Sequence, residues 1–478
     1  MNIINHIKNN ADKHPAKIAV IDEQRQITFN ELYQKIQNFS TIFSSKNQKI
    51  ISLVSENSIS FLISYLGLIN SGKTVHLIPP KISQDNLLNQ INSSESGAII
   101  CPKIIKNEWK ENDSTNIPIF EFGENISIKG NDDNELKKNE LAYLIYTSGT
   151  TSEPKGVAIS HSMIEFTTKN IINVLGYTNQ DIDLLPLPLH HSFGLGCVHS
   201  SLNVGSTLIL LKNASNLEQL LESIKKFNAT TLAVIPATLT KLLMFDKYIL
   251  EDYFTDLRLI ITNSTSIPKD TVQNFKKIMK KGNLATYYGL TEASRSTFMI
   301  FDNDNNREES VGKAAPDVEI KIDTNDQDGI NIGEILIKGK NVIQNYWKNS
   351  EADKKIVNGW LRTGDLGFLD EEKYLFLKGR HDEIINIGGE KVSPLEIEGV
   401  VKKLSGVEDI AAFGIEHKIF GQTIKVNIVK TKNSDLDKSQ VLSYCIKNLE
   451  KYKIPSKIEF VEKIPKTDYG KVKRFMLK

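Results

Sequence analysis

Apolar positions recur along this chain with two periods, and the change of period divides it. The first residues, Met1-Asn2-Ile3-Ile4-Asn5-His6, open toward an amphipathic helix. Lys17–Val20 and Ile27–Phe29 read as short strands about a turn at Asp22-Glu23, and Glu31–Ser44 carries Leu32, Ile36, Phe39 and Phe43 at helical spacing. Ile51–Val54, the apolar helix Ile59–Asn70 and Val75–Ile78 form a strand–helix–strand unit, and a second unit runs from helix Leu217–Lys226 to strand Thr231–Ile235. Such alternation predicts an α/β domain with largely parallel sheets. The polar stretch Lys106–Glu140 lacks periodicity and is expected at the surface, before a buried strand at Leu141–Ile145. Past Ser310 the pattern turns to alternation with period two, at Val318–Ile322 and Glu334–Ile337, as in antiparallel strands. After Gly379-Arg380 the helix Pro394–Lys403, the strands Val407–Ile415 and Ile424–Val429 and the helix Lys438–Asn448 suffice for a small α+β domain.

A chain of 478 residues is too long for one core, which agrees with this division. Its net charge of +1 gives no electrostatic reason to expect nucleic acid as a partner. Apolar runs such as Phe61–Ile69 and Leu208–Leu211 fall far short of the roughly 20 residues of a membrane span. The N-terminus lacks the basic start and apolar core of a secretory signal. Cys101, Cys197 and Cys445 lie far apart, with neither metal-ligand spacing nor a disulfide framework, so a reducing cytoplasm is the expected setting.

The chemistry concentrates in Tyr146-Thr147-Ser148-Gly149-Thr150-Thr151-Ser152-Glu153-Pro154-Lys155-Gly156, directly after the strand Leu141–Ile145. Small residues let the backbone approach a ligand, hydroxyls and N–H groups supply short donors, and Lys155 adds a point charge. A loop of this kind cradles phosphate oxygens. It lacks the Walker spacing, so a P-loop NTPase does not follow.

This string resembles the phosphate-binding signature of the adenylate-forming superfamily: acyl-CoA synthetases, luciferases and nonribosomal adenylation domains. Further segments match it in order. Thr28–Leu32 and Leu66–Pro79 resemble its packing motifs, and Leu187–Leu195 resembles the segment gating the acyl pocket. Tyr287-Tyr288-Gly289-Leu290-Thr291-Glu292 resembles the adenine and magnesium motif, and Trp360–Asp365 the ribose-binding strand. Lys378–Glu383 leads into the hinge, Gly388-Gly389 follows it, and Pro465–Lys471 resembles the catalytic lysine loop. The resemblance implies an α/β fold with a large N-terminal adenylation domain of several subdomains, residues 1–380. A small mobile α+β lid, residues 381–478, would turn about Asp382.

It also implies the reaction: ATP-dependent activation of a small carboxylic acid to acyl-AMP with release of pyrophosphate, then transfer to a thiol. ATP, Mg²⁺ and CoA are the implied cofactors, with the phosphopantetheine of a carrier protein as the alternative acceptor. A luciferase-like oxygenase is a third reading, because His190–Gly194 resembles the luciferase pocket, and a nucleotide-binding protein with a decayed site is a fourth. In the first reading Thr147, Ser148, Gly149, Thr150, Thr151 and Lys155 hold phosphates, and Asn263, Ser264, Tyr287, Tyr288 and Gly289 hold the nucleotide, with Tyr288 stacked on adenine. Asp365 takes the ribose hydroxyls beside Arg380, Thr291 and Glu292 serve the metal and the phosphates, and Lys471 is catalytic. His191, Phe193, Gly194, Gly196 and Cys197 form the acyl pocket, and Gly388 and Gly389 leave room for the thiol's arm. Amino-acid-activating relatives place an aspartate just after the pocket motif, whereas Ser192–Val198 contains no acid, which favours an uncharged aliphatic or aromatic carboxylate. Arg295 follows the magnesium motif and receives no role from the sequence.

Overall fold

The computed structural model describes residues 3–44, 48–82, 84–110, 117–122, 141–147, 154–263, 267–302, 307–324, 332–380, 383–387, 390–417, 420–467 and 472–477. The chain forms two compact units, one of Met1–Glu308, Gly312–Glu319 and Ile337–Leu361, the other of Glu309–Val311, Ile320–Leu336 and Arg362–Lys478.

Two sheets carry the first unit. One runs Ile119–Glu121, Ile99–Cys101, Ile50–Val54, Thr74–Ile78, Leu141–Thr147, Lys155–Ser160. Its neighbours are parallel except the last pair, an antiparallel ladder in which Thr147 faces Lys155. Consecutive buried positions in Ile50–Val54 and Thr74–Ile78 fit strands covered on both faces. Helix Ile59–Asn70 is apolar nearly all round, is buried over most of its length and starts at Ser58, whose hydroxyl accepts from the Phe61 N–H.

The other sheet has the order Lys313–Ala314, Ala293–Phe301, Asn283–Leu290, Leu259–Asn263, Thr231–Ala233, Ile182–Leu185, Thr207–Leu210, Ile18–Ile21, Gln26–Thr28. Its middle is parallel, so Asn263 and the end of Asn283–Leu290 lie at the carboxyl edge, where open α/β sheets bind ligands. The strand expected through Ile235 stops at Ala233, because Pro236 begins helix Pro236–Leu242. Helix Ser192–Val204 was not legible as an element: buried from Phe193 to Leu202, it shows no polar face. Part of the Lys106–Glu140 stretch is ordered as helix Lys103–Lys110 and strand Ile119–Glu121, and residues 123–140 lie outside the described residues.

In the second unit, Trp360–Leu369 pairs with Leu375–Arg380 antiparallel, which sets Asp365 opposite Arg380. A further sheet runs Glu390–Val392, Ile385–Ile387, Gly421–Lys430, Val407–His417, with Lys457–Phe460 parallel to Gly421–Lys430. Helices Pro394–Val401 and Lys438–Asn448 cover it through Ile397, Val401, Val441 and Cys445.

Candidate active site

Thr147 and Lys155 end and begin a pair of antiparallel strands, so the hydroxyl-rich segment between them starts and finishes at one sheet edge. Residues 148–153 of that segment lie outside the described residues, with Ser148, Gly149, Thr150 and Thr151 among them. Trp347 N–H donates to the Gly156 carbonyl at 2.8 Å, and Val157 bridges Tyr346. The Tyr346 hydroxyl donates to Glu292 Oε1 at 3.1 Å, and the Ile343 N–H donates to the Glu292 carbonyl at 2.9 Å. One tyrosine therefore couples the strand after the hydroxyl-rich segment to the carboxylate of Thr291-Glu292. Tyr346 was missed in the sequence because nothing local marks it: it lies 54 residues from its partner.

Asn263 stands opposite Tyr287 in parallel strands and donates from Nδ2 to its hydroxyl at 2.9 Å. Ser264 lies outside the described residues. Tyr287 turns its ring to Phe193, 5.2 Å between centroids, so it packs with the residues assigned to the acyl pocket. Successive strand residues face opposite ways, which sends Tyr288 to the other side, while its N–H donates to the Thr297 hydroxyl oxygen. Gly289 admits the Ala293–Arg295 backbone, which a Cβ there would meet.

His190 and His191 lie 4.5 Å apart at the start of helix Ser192–Val204. Burial lowers His190 to about 4, and burial followed by the neighbouring His190 takes His191 well below its ordinary value. Both are neutral at physiological pH, as suits a pocket wall. Gly194 packs its α-carbon onto the Pro188 carbonyl, and Cys197 is buried, its thiol pushed far up by desolvation. Arg295 lies against this same helix, a contact that nothing in the sequence signals.

Within the second unit, Arg380 Nη1 donates to Asp365 Oδ1 at 2.8 Å, and both side chains are largely buried. Gly364 supplies the left-handed turn, φ 73°, before Asp365, and its N–H donates to Glu334. Asp382, Gly388, Gly389 and Lys471 lie outside the described residues. The flanks of Lys471 are fixed: Lys473 N–H donates to the Pro465 carbonyl, Lys466 bridges Val472, and Lys466 Nζ pairs with Asp409 at 2.5 Å. Arg474 is buried with Nε on the Ala412 carbonyl, Nη1 on Glu383 at 2.7 Å and Nη2 on Glu398 at 2.6 Å. Only three residues from Lys471, it anchors the tail beside Glu383, which follows Asp382.

Among the described residues no cluster of three or more His, Cys, Asp or Glu could hold a metal by itself, and no helix is long and apolar enough to cross a membrane. All three cysteines are free and buried.

The family model described as AMP-binding enzyme matches residues 7–347, and that of the AMP-binding enzyme C-terminal domain matches residues 396–471. The chain belongs to the AMP-binding enzyme family. Among similar members, 2-succinylbenzoate–CoA ligase of Bacillus subtilis is 28% identical, the alignment covering 99% of this chain and 97% of the relative. The oxalate–CoA ligase of Saccharomyces cerevisiae is 26% identical over 96% of this chain and 93% of its own length. The structure of o-succinylbenzoate CoA synthetase from Bacillus subtilis with its acyl-adenylate intermediate superposes with a TM-score of 0.90 at 26% identity, covering 99% of this chain and 98% of the other. This AMP-binding enzyme is thus an AMP-forming acid–thiol ligase with the mixed α/β fold of its relatives.

Proposed function

We propose that this ligase converts a carboxylic acid lacking an α-ammonium group to acyl-AMP and passes the acyl group to the thiol of CoA. The observation that carries the reading is Tyr346, which couples Glu292 to the strand leaving the hydroxyl-rich segment. That coupling supports a phosphate site in the first unit, built from residues the sequence scattered between positions 147 and 346.

A carboxylate and the α-phosphate of ATP repel, so the chief requirement is fixed positive charge and aligned donors where they meet. Thr147, Lys155 and the residues between them hold the phosphates, and Lys471 supplies the charge between the two anions. Glu292 would offer one hard oxygen ligand to Mg²⁺, which would supply charge neutralisation when bound. Asp365, ion-paired with Arg380, accepts from the ribose hydroxyls. His191, neutral by burial, walls the pocket and moves no proton, as befits a step in which a carboxylate attacks phosphorus directly. The pocket helix Ser192–Val204 carries no carboxylate, so an amino acid would leave its ammonium unpaired at a cost of about 3–5 kcal/mol.

Pyrophosphate release measured over a panel of acids, with CoA and separately with a phosphopantetheinylated carrier protein as acceptor, tests this. Release that requires a non-amino acid together with thioester formation on CoA is the expected result. Release driven by proteinogenic amino acids alone, or thioester formed only on the carrier, overturns it.

A further inference from the structure

Arg295 is only 4% exposed, yet no carboxylate among the described residues pairs with it. Its guanidinium donates to the Ser192 carbonyl at 3.1 Å, the Phe193 carbonyl at 3.0 Å and the Ser294 hydroxyl at 2.8 Å, and lies 4.9 Å from the centre of the Tyr287 ring. These partners are all neutral. They satisfy donors, but they do not neutralise a charge removed from water. The buried carboxylate Asp183 is engaged by Ser201 and Thr231.

The surroundings are shaped for this side chain. Arg295 holds a left-handed backbone, φ 55°, which is uncommon for a residue with a Cβ. A Cβ on Gly196 would overlap its guanidinium, and a Cβ on Gly289 would strike its backbone. The cation also lies beside the first turn of helix Ser192–Val204, whose N-cap, His191, contributes no side-chain capping bond. A helix start is the positive end of its dipole, so two positive features converge here.

We infer that Arg295 is a specificity-determining residue whose missing counter-charge arrives with the substrate: the acid carries a second anionic group at its far end. This rests on the acyl-pocket reading of Phe193, Gly196 and Cys197, and it replaces the uncharged acid favoured from the sequence alone. The guanidinium fills the space opened by Gly196, so it also limits the pocket to a compact acid.

The test uses matched probes, succinate against butyrate and phthalate against benzoate, with the wild type, Arg295→Gln and Arg295→Lys. Pyrophosphate release gives kcat/KM, and calorimetry gives direct binding of each acid. The wild type is expected to prefer a doubly charged member of a pair, Arg295→Gln to erase that preference by about 10²-fold, and Arg295→Lys to keep part of it. Equal or better use of the neutral-tailed acids by the wild type overturns the inference and leaves the ligase reading intact, as does an equal loss on every acid in Arg295→Gln. If no acid releases pyrophosphate the ligase reading fails, and binding decides the inference: Arg295-dependent binding of the diacids sustains it, and binding unchanged or absent in the wild type overturns it.

Discussion

In the proposed reaction Lys471 and Glu292 divide the work of the first half-reaction, and substitution of the lysine tests its share. Lys471→Ala removes a single fixed charge that is needed while two anions approach, so adenylation is expected to slow by roughly 10²–10³-fold. Thiol attack on supplied acyl-AMP has no such pair of anions and should change far less. Single-turnover measurement of both steps checks this, and equal losses in the two would assign the lysine another role. At the same scale the nearest tertiary partners were hidden from the sequence. Glu292 stood out within Thr291-Glu292, but Tyr346 could not be connected to it before the fold brought them to 3.1 Å. Arg295 was visible and mute, since a lone arginine in a strand gains meaning only from what surrounds it.

Among elements, the tail after Lys471 shows how a short segment is held without regular secondary structure. Arg474 joins Glu383, Glu398 and the Ala412 carbonyl, three separate parts of the second unit. Burial pushes the Glu398 carboxyl up, and Arg474 opposes that shift, so the arginine keeps a desolvated carboxylate tolerable. Arg474→Met is expected to cost about 3–5 kcal/mol, because it strands Glu398 rather than merely losing a contact. Adding Glu398→Gln should restore part of the loss, since an amide carries no charge to compensate. Urea midpoints of the two variants measure this, and identical midpoints would show that charge stranding is not the mechanism. The long amphipathic and alternating elements were legible: helix Leu217–Phe227 and strands Val407–His417 and Gly421–Lys430 appear within a few residues of their expected bounds. It failed at helix Ser192–Val204, where burial on every side removes the periodicity that marks a helix.

For the whole molecule, the buried acid Asp183 sets a pH dependence of stability. It lies fully buried in strand Ile182–Leu185, and desolvation raises it from 3.8 to about 6, although hydroxyls of Ser201 and Thr231 donate to it. The folded state holds this proton more tightly than the unfolded chain, so stability falls as pH rises from about 4 through about 6 and levels off above. The shift corresponds to roughly 3 kcal/mol. Asp183→Asn should therefore gain on the wild type across that window, and melting temperatures of both between pH 4 and 8 check it. A difference that stays flat with pH would show that Asp183 is charged in the fold.

The sequence by itself determined the α/β class, the change to a smaller α+β region, and the family, because hydrophobic period and contiguous motifs such as Tyr146–Gly156 and Tyr287–Glu292 are local properties of the chain. Only the tertiary structure decided which side chains meet. Pairing of Tyr346 with Glu292, packing of Tyr287 on Phe193 and burial of Arg295 against the pocket helix all join residues between 54 and more than 100 positions apart. Such contacts follow from strand order and register, and a side chain's charge has consequences only once its exposure and its partners are fixed.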